Sequence, residues 1–163
     1  MKKVHKYYLS IGSNIQPEIN LPKAIELLAG YGNVNAASHA WESHALGAEG
    51  PNFLNANVLF TSSLNPRELK NSAISSIELE LGRIRSHDKN APRTIDIDIV
   101  LVDGKPVNLD RWNNPFVVVP MSELLPDLKH PIDNLKLFTV ANSMISQTWI
   151  KQRPEILKNK NYA

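Results

Sequence analysis

Thr94-Ile95-Asp96-Ile97-Asp98-Ile99-Val100-Leu101-Val102 is the most regular stretch of the chain. Isoleucine and aspartate alternate through its first half, and on a strand side chains two apart point the same way. The spacing predicts a strand that sends Ile95, Ile97 and Ile99 into a core and sets Asp96 and Asp98 together on the other face. Two adjacent carboxylates repel and raise each other's proton affinity unless a cation lies between them. Hard oxygen ligands of this kind suit magnesium, which takes one or two carboxylates and fills its shell with phosphate oxygens and water. The alternative is an exposed polar face on an edge strand, paired with Lys or Arg.

What precedes the strand favours the metal. Arg83, Arg85, Lys89 and Arg93 fall within eleven residues that hold one acid, Asp88. Metal-binding carboxylates beside an arginine-rich loop are what phosphoryl transfer needs, because cation and guanidinium groups both neutralise phosphate oxygens.

Outward from this centre the chain punctuates itself clearly. Lys6 to Ile11 alternates as a strand and is broken by Gly12-Ser13-Asn14. A helix is predicted from Leu21 to Tyr31, with Gly30 and Gly32 at its end. Val34 to Ser43 reads as a second strand, Ala45 to Asn52 as a loop, and Phe53 to Thr61 as a third strand. Asn65-Pro66 opens a second helix whose apolar stripe is Leu69, Ala73, Ile74, Ile77 and Leu81. Short helices are predicted at Met121 to Leu125 and Leu135 to Ser146. The order β-α-β-β-α-β implies an α+β fold, a ferredoxin-like antiparallel sheet with two helices on one face.

The 163 residues suit one domain, and 42% hydrophobic with 21% charged residues is ordinary for a globular protein. Apolar runs are strand-sized, too short to cross a membrane. The basic N-terminus lacks a signal-peptide core, and the absence of cysteine excludes disulfides and thiolate metal sites. A cytoplasmic protein is expected. A net charge of +2 does not by itself suggest nucleic-acid binding. His5, His39 and His130 have no identifiable partners and read as surface residues, while Trp41, Trp112 and Trp149 read as packing.

These stretches together resemble the hydroxymethyl-dihydropterin pyrophosphokinases of folate synthesis. The likeness runs through Ile11-Gly12-Ser13-Asn14, Phe53-Leu54-Asn55-Ala56 and Ile77 to Arg85, and is most specific in Pro92-Arg93-Thr94-Ile95-Asp96-Ile97-Asp98. It implies transfer of pyrophosphate from ATP to 6-hydroxymethyl-7,8-dihydropterin with release of AMP. It further implies that Asp96 and Asp98 bind two Mg2+ ions and that Arg83 and Arg93 act on the triphosphate. Glu78, Arg85, Lys89, Ile99 and Arg111 would border the nucleotide, as would Arg93. Phe53 and Phe116 would sandwich the pterin, Asn55 would read its edge, and Ser43, His44 and Leu46 would line the same pocket. The partners implied are small molecules, with neither nucleic acid nor membrane, acting on a monomer.

One segment departs from the family pattern. After Arg111 the family has proline-histidine, several residues, an arginine, then phenylalanine and a hydrophobic strand ending in proline. This chain reads Arg111-Trp112-Asn113-Asn114-Pro115-Phe116-Val117-Val118-Val119-Pro120, so the histidine and arginine have no counterpart. Ser75 also replaces a glutamine. Two alternatives follow: a non-catalytic pterin-binding paralogue on this fold, and an RNA-binding module using the same kind of sheet.

Overall fold

Tyr7, Leu9 and Ile11 alternate with Tyr8 and Ser10 along β1 (His5–Ser13) in the computed structural model, which describes residues 2–45, 50–84 and 93–157. α1 (Pro17–Leu28) begins before the apolar pattern does. Pro17 occupies its first turn, where a missing N–H costs nothing. The strand expected over Val34 to Ser43 is two, β2 (Asn33–Ala37) and β3 (Ala40–Ser43). Between them Ser38 bonds to Asn57 through both its backbone N–H and its hydroxyl, each at 2.9 Å. The side chain accepts the N–H that a regular ladder would give to a carbonyl, so the strand breaks there without losing its hydrogen bonds.

β4 (Phe53–Ser62) follows, then a helical stretch made of α2 (Pro66–Glu68), a π-helical turn Leu69–Ile74 and α3 (Ser75–Glu80). Asn65 and Glu68 open it with reciprocal bonds of 2.9 Å, a capping box. β5 (Asp96–Val102) and the short β6 (Lys105–Pro106) precede a 3-10 turn at Leu109–Asn113, then α4 (Pro115–Leu124), α5 (Leu137–Gln147) and β7 (Ile150–Arg153). The sheet is antiparallel with order β6-β5-β1-β4-β3-β7, and β2 also pairs with β4. The inner β5-β1-β4-β3 order is the ferredoxin-like one.

Each face of the sheet has its own core. Tyr7, Leu9, Ile11, Leu54, Ala56, Val58, Phe60 and Ile97 pack against α1 and the α2–α3 stretch. Tyr8, Leu59, Val100 and Leu101 pack against α4 and α5. Here the structure corrects the expectation for Phe116 to Pro120, which form a helix and not a strand. Three valines in succession favour strands by propensity, but Pro115 sits at the start of the helix and α4 is enclosed between the sheet and α5. A helix apolar on nearly every side is what such a position accepts.

His130 is a second correction, since it is buried with 2% of its surface exposed. Its Nε2 lies 2.6 Å from the Trp112 carbonyl, and its Nδ1 accepts the N–H groups of Ile132 and Asp133 at 3.2 and 3.1 Å. His5 and His39 also have partners, Asp103 at 2.7 Å and Glu123 at 2.9 Å.

Candidate functional site

The alternation that sends Ile97 into one core turns Asp96 and Asp98 toward the α4 face, as the sequence predicts. Register places further residues beside them. Gly12 of β1 pairs with Asp96 on one side and Asn55 of β4 on the other, and Asn55 pairs in turn with Trp41 of β3. Ser10 likewise lies between Asp98 and Asn57. At about 4.8 Å per strand, acid and amide in the first row are about 10 Å apart with only a glycine between them. A Cβ on Gly12 would come within 2.8 Å of the Asn55 Oδ1, so any larger residue would displace that amide. The Asn55 amide lies over position 12 because that position has no side chain.

Arginines close over the acids. α3 ends in a Schellman motif: Gly82 has φ 81°, its N–H bonds to the Leu79 carbonyl, and the Arg83 N–H bonds to that of Glu78. The motif folds Arg83 back on its own helix. Its guanidinium then donates to Glu78 at 2.7 Å and to Asp96 at 3.0 Å. Glu78 is buried, and its carboxylate also accepts the Ile97 N–H at 3.2 Å on the edge of β5 that β6 leaves uncovered. Arg93 reaches Asp96 at 3.4 Å, and Arg111, from the 3-10 turn, reaches Asp98 at 3.0 Å. Burial, and after it the like charge of Asp96, push the Asp98 carboxyl up to about 7, against the pull of Arg111.

The other end of this row is polar and aromatic. Asn55 is buried and donates to the Ser43 hydroxyl at 2.9 Å, and Phe53 pairs with Ser43 in register. Phe116, in the first turn of α4, packs on the sheet face toward which Phe53 and Asn55 project. His44 joins a different group: its Nδ1 meets Asn52 Oδ1 at 3.0 Å and its ring stacks on Trp149 with centroids 4.4 Å apart. Ile99 packs its side chain into the α1-side core and does not join the acid–arginine cluster. Leu46, Arg85 and Lys89 lie outside the described residues.

Asn14 contributes more than a strand-ending turn. It is buried; its Oδ1 accepts the Arg93 N–H at 2.8 Å, its Nδ2 donates to the Pro51 carbonyl at 3.3 Å, and its own N–H donates to the Arg93 carbonyl at 3.2 Å. It therefore joins the chain just before β4 to the chain just before β5. The only sequence signal for this is an amide directly after Gly12-Ser13 at the end of a strand.

Paired acids under arginines and a buried amide thus share one sheet face, with Phe53 and Phe116 on the same side of it. The model of the 7,8-dihydro-6-hydroxymethylpterin-pyrophosphokinase (HPPK) family matches residues 8–126. The chain is 33% identical over 142 residues to the 2-amino-4-hydroxy-6-hydroxymethyldihydropteridine pyrophosphokinase of Synechocystis sp., covering 80% of this chain and 71% of that one. It is 29% identical to the folate synthesis bifunctional protein of Arabidopsis thaliana, covering 94% of this chain and 34% of that longer protein. In fold it resembles the crystal structure of a Plasmodium falciparum HPPK-DHPS triple mutant, at TM-score 0.67 and 13% identity over 99% of this chain and 47% of that one. The chain belongs to the HPPK family, the pterin pyrophosphokinases of folate synthesis.

Proposed function

We propose that the chain transfers the pyrophosphoryl group of ATP to the hydroxymethyl oxygen of 6-hydroxymethyl-7,8-dihydropterin, with magnesium held by Asp96 and Asp98. The observation that carries this reading is the row in which Gly12 alone stands between Asp96 and the amide of Asn55. It supports a reading in which a triphosphate at the acids and a ring at the amide would lie side by side on one sheet face.

The donor set fits the metal. Among the described residues no group of three or more His, Cys, Asp or Glu could hold an ion by itself. Two carboxylates with phosphate and water completing the shell is the composition magnesium takes beside a nucleotide. When bound, the metal supplies positive charge to phosphate oxygens. The chain's own residues do the rest. Asn55, held by Ser43, orients the ring edge; Phe53 and Phe116 cover its faces; Arg83 and Arg93 neutralise oxygens of the transferring group. The hydroxymethyl oxygen attacks the β-phosphorus and loses its proton. The bond from that phosphorus to the α–β bridging oxygen breaks, and AMP leaves with the electron pair.

The reading makes the chain a single domain that acts as a monomer in the cytoplasm; among the described residues no helix is long and apolar enough to cross a membrane. Family membership removes the ground for the RNA-binding alternative. Incubation with ATP, magnesium and the hydroxymethyl-dihydropterin should yield AMP and a pterin pyrophosphate in equal amounts, and chelation should stop it. Release of ADP would overturn pyrophosphoryl transfer. Saturable pterin binding without turnover would favour the non-catalytic paralogue.

A further inference from the structure

The arginines at the acid pair raise a question that the transfer reaction does not answer. Among the described residues, the guanidinium groups of Arg83, Arg93 and Arg111 face the carboxylates of Glu78, Asp96 and Asp98. Asp98 takes its ion pair from Arg111 at 3.0 Å, whereas Asp96 faces both Arg83 and Arg93. Arg111 is also the most exposed of the three arginine side chains, at 38% against 12% for Arg83 and 22% for Arg93. It sits on a short 3-10 turn and is tied there through its backbone, whose N–H donates to the Asn108 carbonyl at 2.9 Å. That backbone bond does not involve the side chain's contact with Asp98.

We infer that Arg111 is a resident counter-cation that makes the acid pair selective for a metal–nucleotide complex over a free metal ion. This rests on the reading of Asp96 and Asp98 as the metal pair. A free divalent ion that takes Asp98 must either sit beside the Arg111 guanidinium or drive it into water, and it offers nothing in return. A metal–triphosphate complex brings phosphate oxygens, to which the displaced guanidinium transfers its hydrogen bonds. Metal and nucleotide binding are thereby coupled through Arg111, over and above the attraction of the metal for phosphate. Arg111 acts as a specificity-determining residue: it weakens one ligand and strengthens the other, which a structural arginine would not do.

The test is calorimetric titration of the wild type and Arg111→Gln, with Mn2+ alone and with Mg2+ plus a non-hydrolysable ATP analogue. It is run at about pH 8.5 so that proton binding by Asp98 does not compete. The variant should bind free Mn2+ about tenfold more tightly and the magnesium–nucleotide complex several-fold more weakly, within the usual range of coupling between two ligands. Arg153→Gln, which removes an arginine at the far edge of the sheet, should change neither. Free-metal affinity that is unchanged or lower in Arg111→Gln, with its thermal unfolding intact, overturns the exchange. An equal rise in Arg153→Gln also overturns it, since the effect would then be one of net charge. If the wild type binds no metal even with nucleotide present, the reading of Asp96 and Asp98 falls as well.

Discussion

Two charged networks anchor opposite sides of the sheet, and they differ in sign. Beside β3 and β7, Glu42 accepts from Asn52 at 2.8 Å and from Arg153 at 2.6 Å. The Asn52 bond first, and Arg153 with it, hold the Glu42 carboxyl below its ordinary range. On β5, burial and a neighbouring acid push Asp98 up to about 7 although Arg111 is 3.0 Å away. The first network is satisfied by its own members and fastens one strand to another. The second holds Asp98 buried and beside a like charge, so its carboxyl stays raised although Arg111 is in contact. Carboxylates with arginine partners are thus shifted in opposite directions on the two sides of the sheet.

The largest effect should come from removing an acid on β5. Asp96→Ala or Asp98→Ala should lower pyrophosphoryl transfer by about a thousandfold, at the upper end of what losing one transition-state electrostatic group costs. Ile95, Ile97 and Ile99 pack the strand from the other face, so circular dichroism should show an intact fold. Full activity in either variant would end the distinction between the two networks.

Next is the short connection between Arg111 and Phe116. Its four residues hold neither of the two cationic groups the family pattern places there. Two charge-assisted contacts, each about 1.5–3 kcal/mol, correspond to roughly a hundredfold or more in nucleotide affinity. Pterin affinity should be that of a complete pocket while the magnesium–nucleotide complex binds weakly. Paired dissociation constants decide this, and tight micromolar nucleotide binding would mean that Arg111 and its neighbours make up the difference.

Stability should also separate the networks. Asp98 has a raised proton affinity in the folded state, so between about pH 4 and pH 7 the folded chain keeps a proton that the unfolded chain has lost. Stability then falls as pH rises through that window. Asp98→Asn escapes the penalty and should be more stable than the wild type above pH 7, on the order of 2 kcal/mol after allowing for Arg111 losing its partner. Below pH 4 the two should coincide. Denaturation in urea at the two pH values would show it, and a destabilised Asp98→Asn at pH 8 would count against the burial penalty on its charge.

How far the sequence revealed all this depends on whether the deciding interaction is local. Asp96 and Asp98 share a face because strands have a period of two, and that is visible in five residues. Gly12, Asn55 and Asp96 fall in one row only through pairing across three strands, so their adjacency was not visible even though each residue was. The strand that the family pattern implies at Phe116 to Pro120 is a helix here, and enclosure between two layers, which no local pattern records, makes a helix the better solution. His130 looked like a surface residue because its partner, the Trp112 carbonyl, lies eighteen positions away. The break between β2 and β3 depends on the Ser38 hydroxyl doing the work of a backbone group, which no pattern of apolar residues records.

On the pterin side, Phe53→Ala should weaken pterin binding by about 0.5–1.5 kcal/mol beyond the loss of buried area, with nucleotide affinity unchanged. A ligand-bound structure with the Phe53 or Phe116 ring turned away from the pterin would remove that residue from the sandwich.

The smallest expected effect concerns Glu42, and it has the opposite sign to that of Asp98. A carboxyl whose folded proton affinity is lowered contributes stability above its unfolded pKa and loses it as pH falls through the folded one. Glu42→Gln keeps an oxygen that can accept from either Asn52 or Arg153 but not the charge that strengthens both bonds. The variant should lose about 1 kcal/mol at pH 7, since a partly exposed ion pair contributes no more than that. The deficit should shrink as pH falls below the ordinary carboxylate range and close once the wild-type carboxyl is itself protonated in the folded state. Because Asn52 is the group His44 meets, a Gln amide that competes for Asn52 should also loosen the His44–Trp149 stack, which tryptophan fluorescence can report. A Glu42→Gln protein as stable as the wild type at pH 7 would mean that the β3–β7 ladder holds without its charges, and that arginine pairing on that side marks nothing.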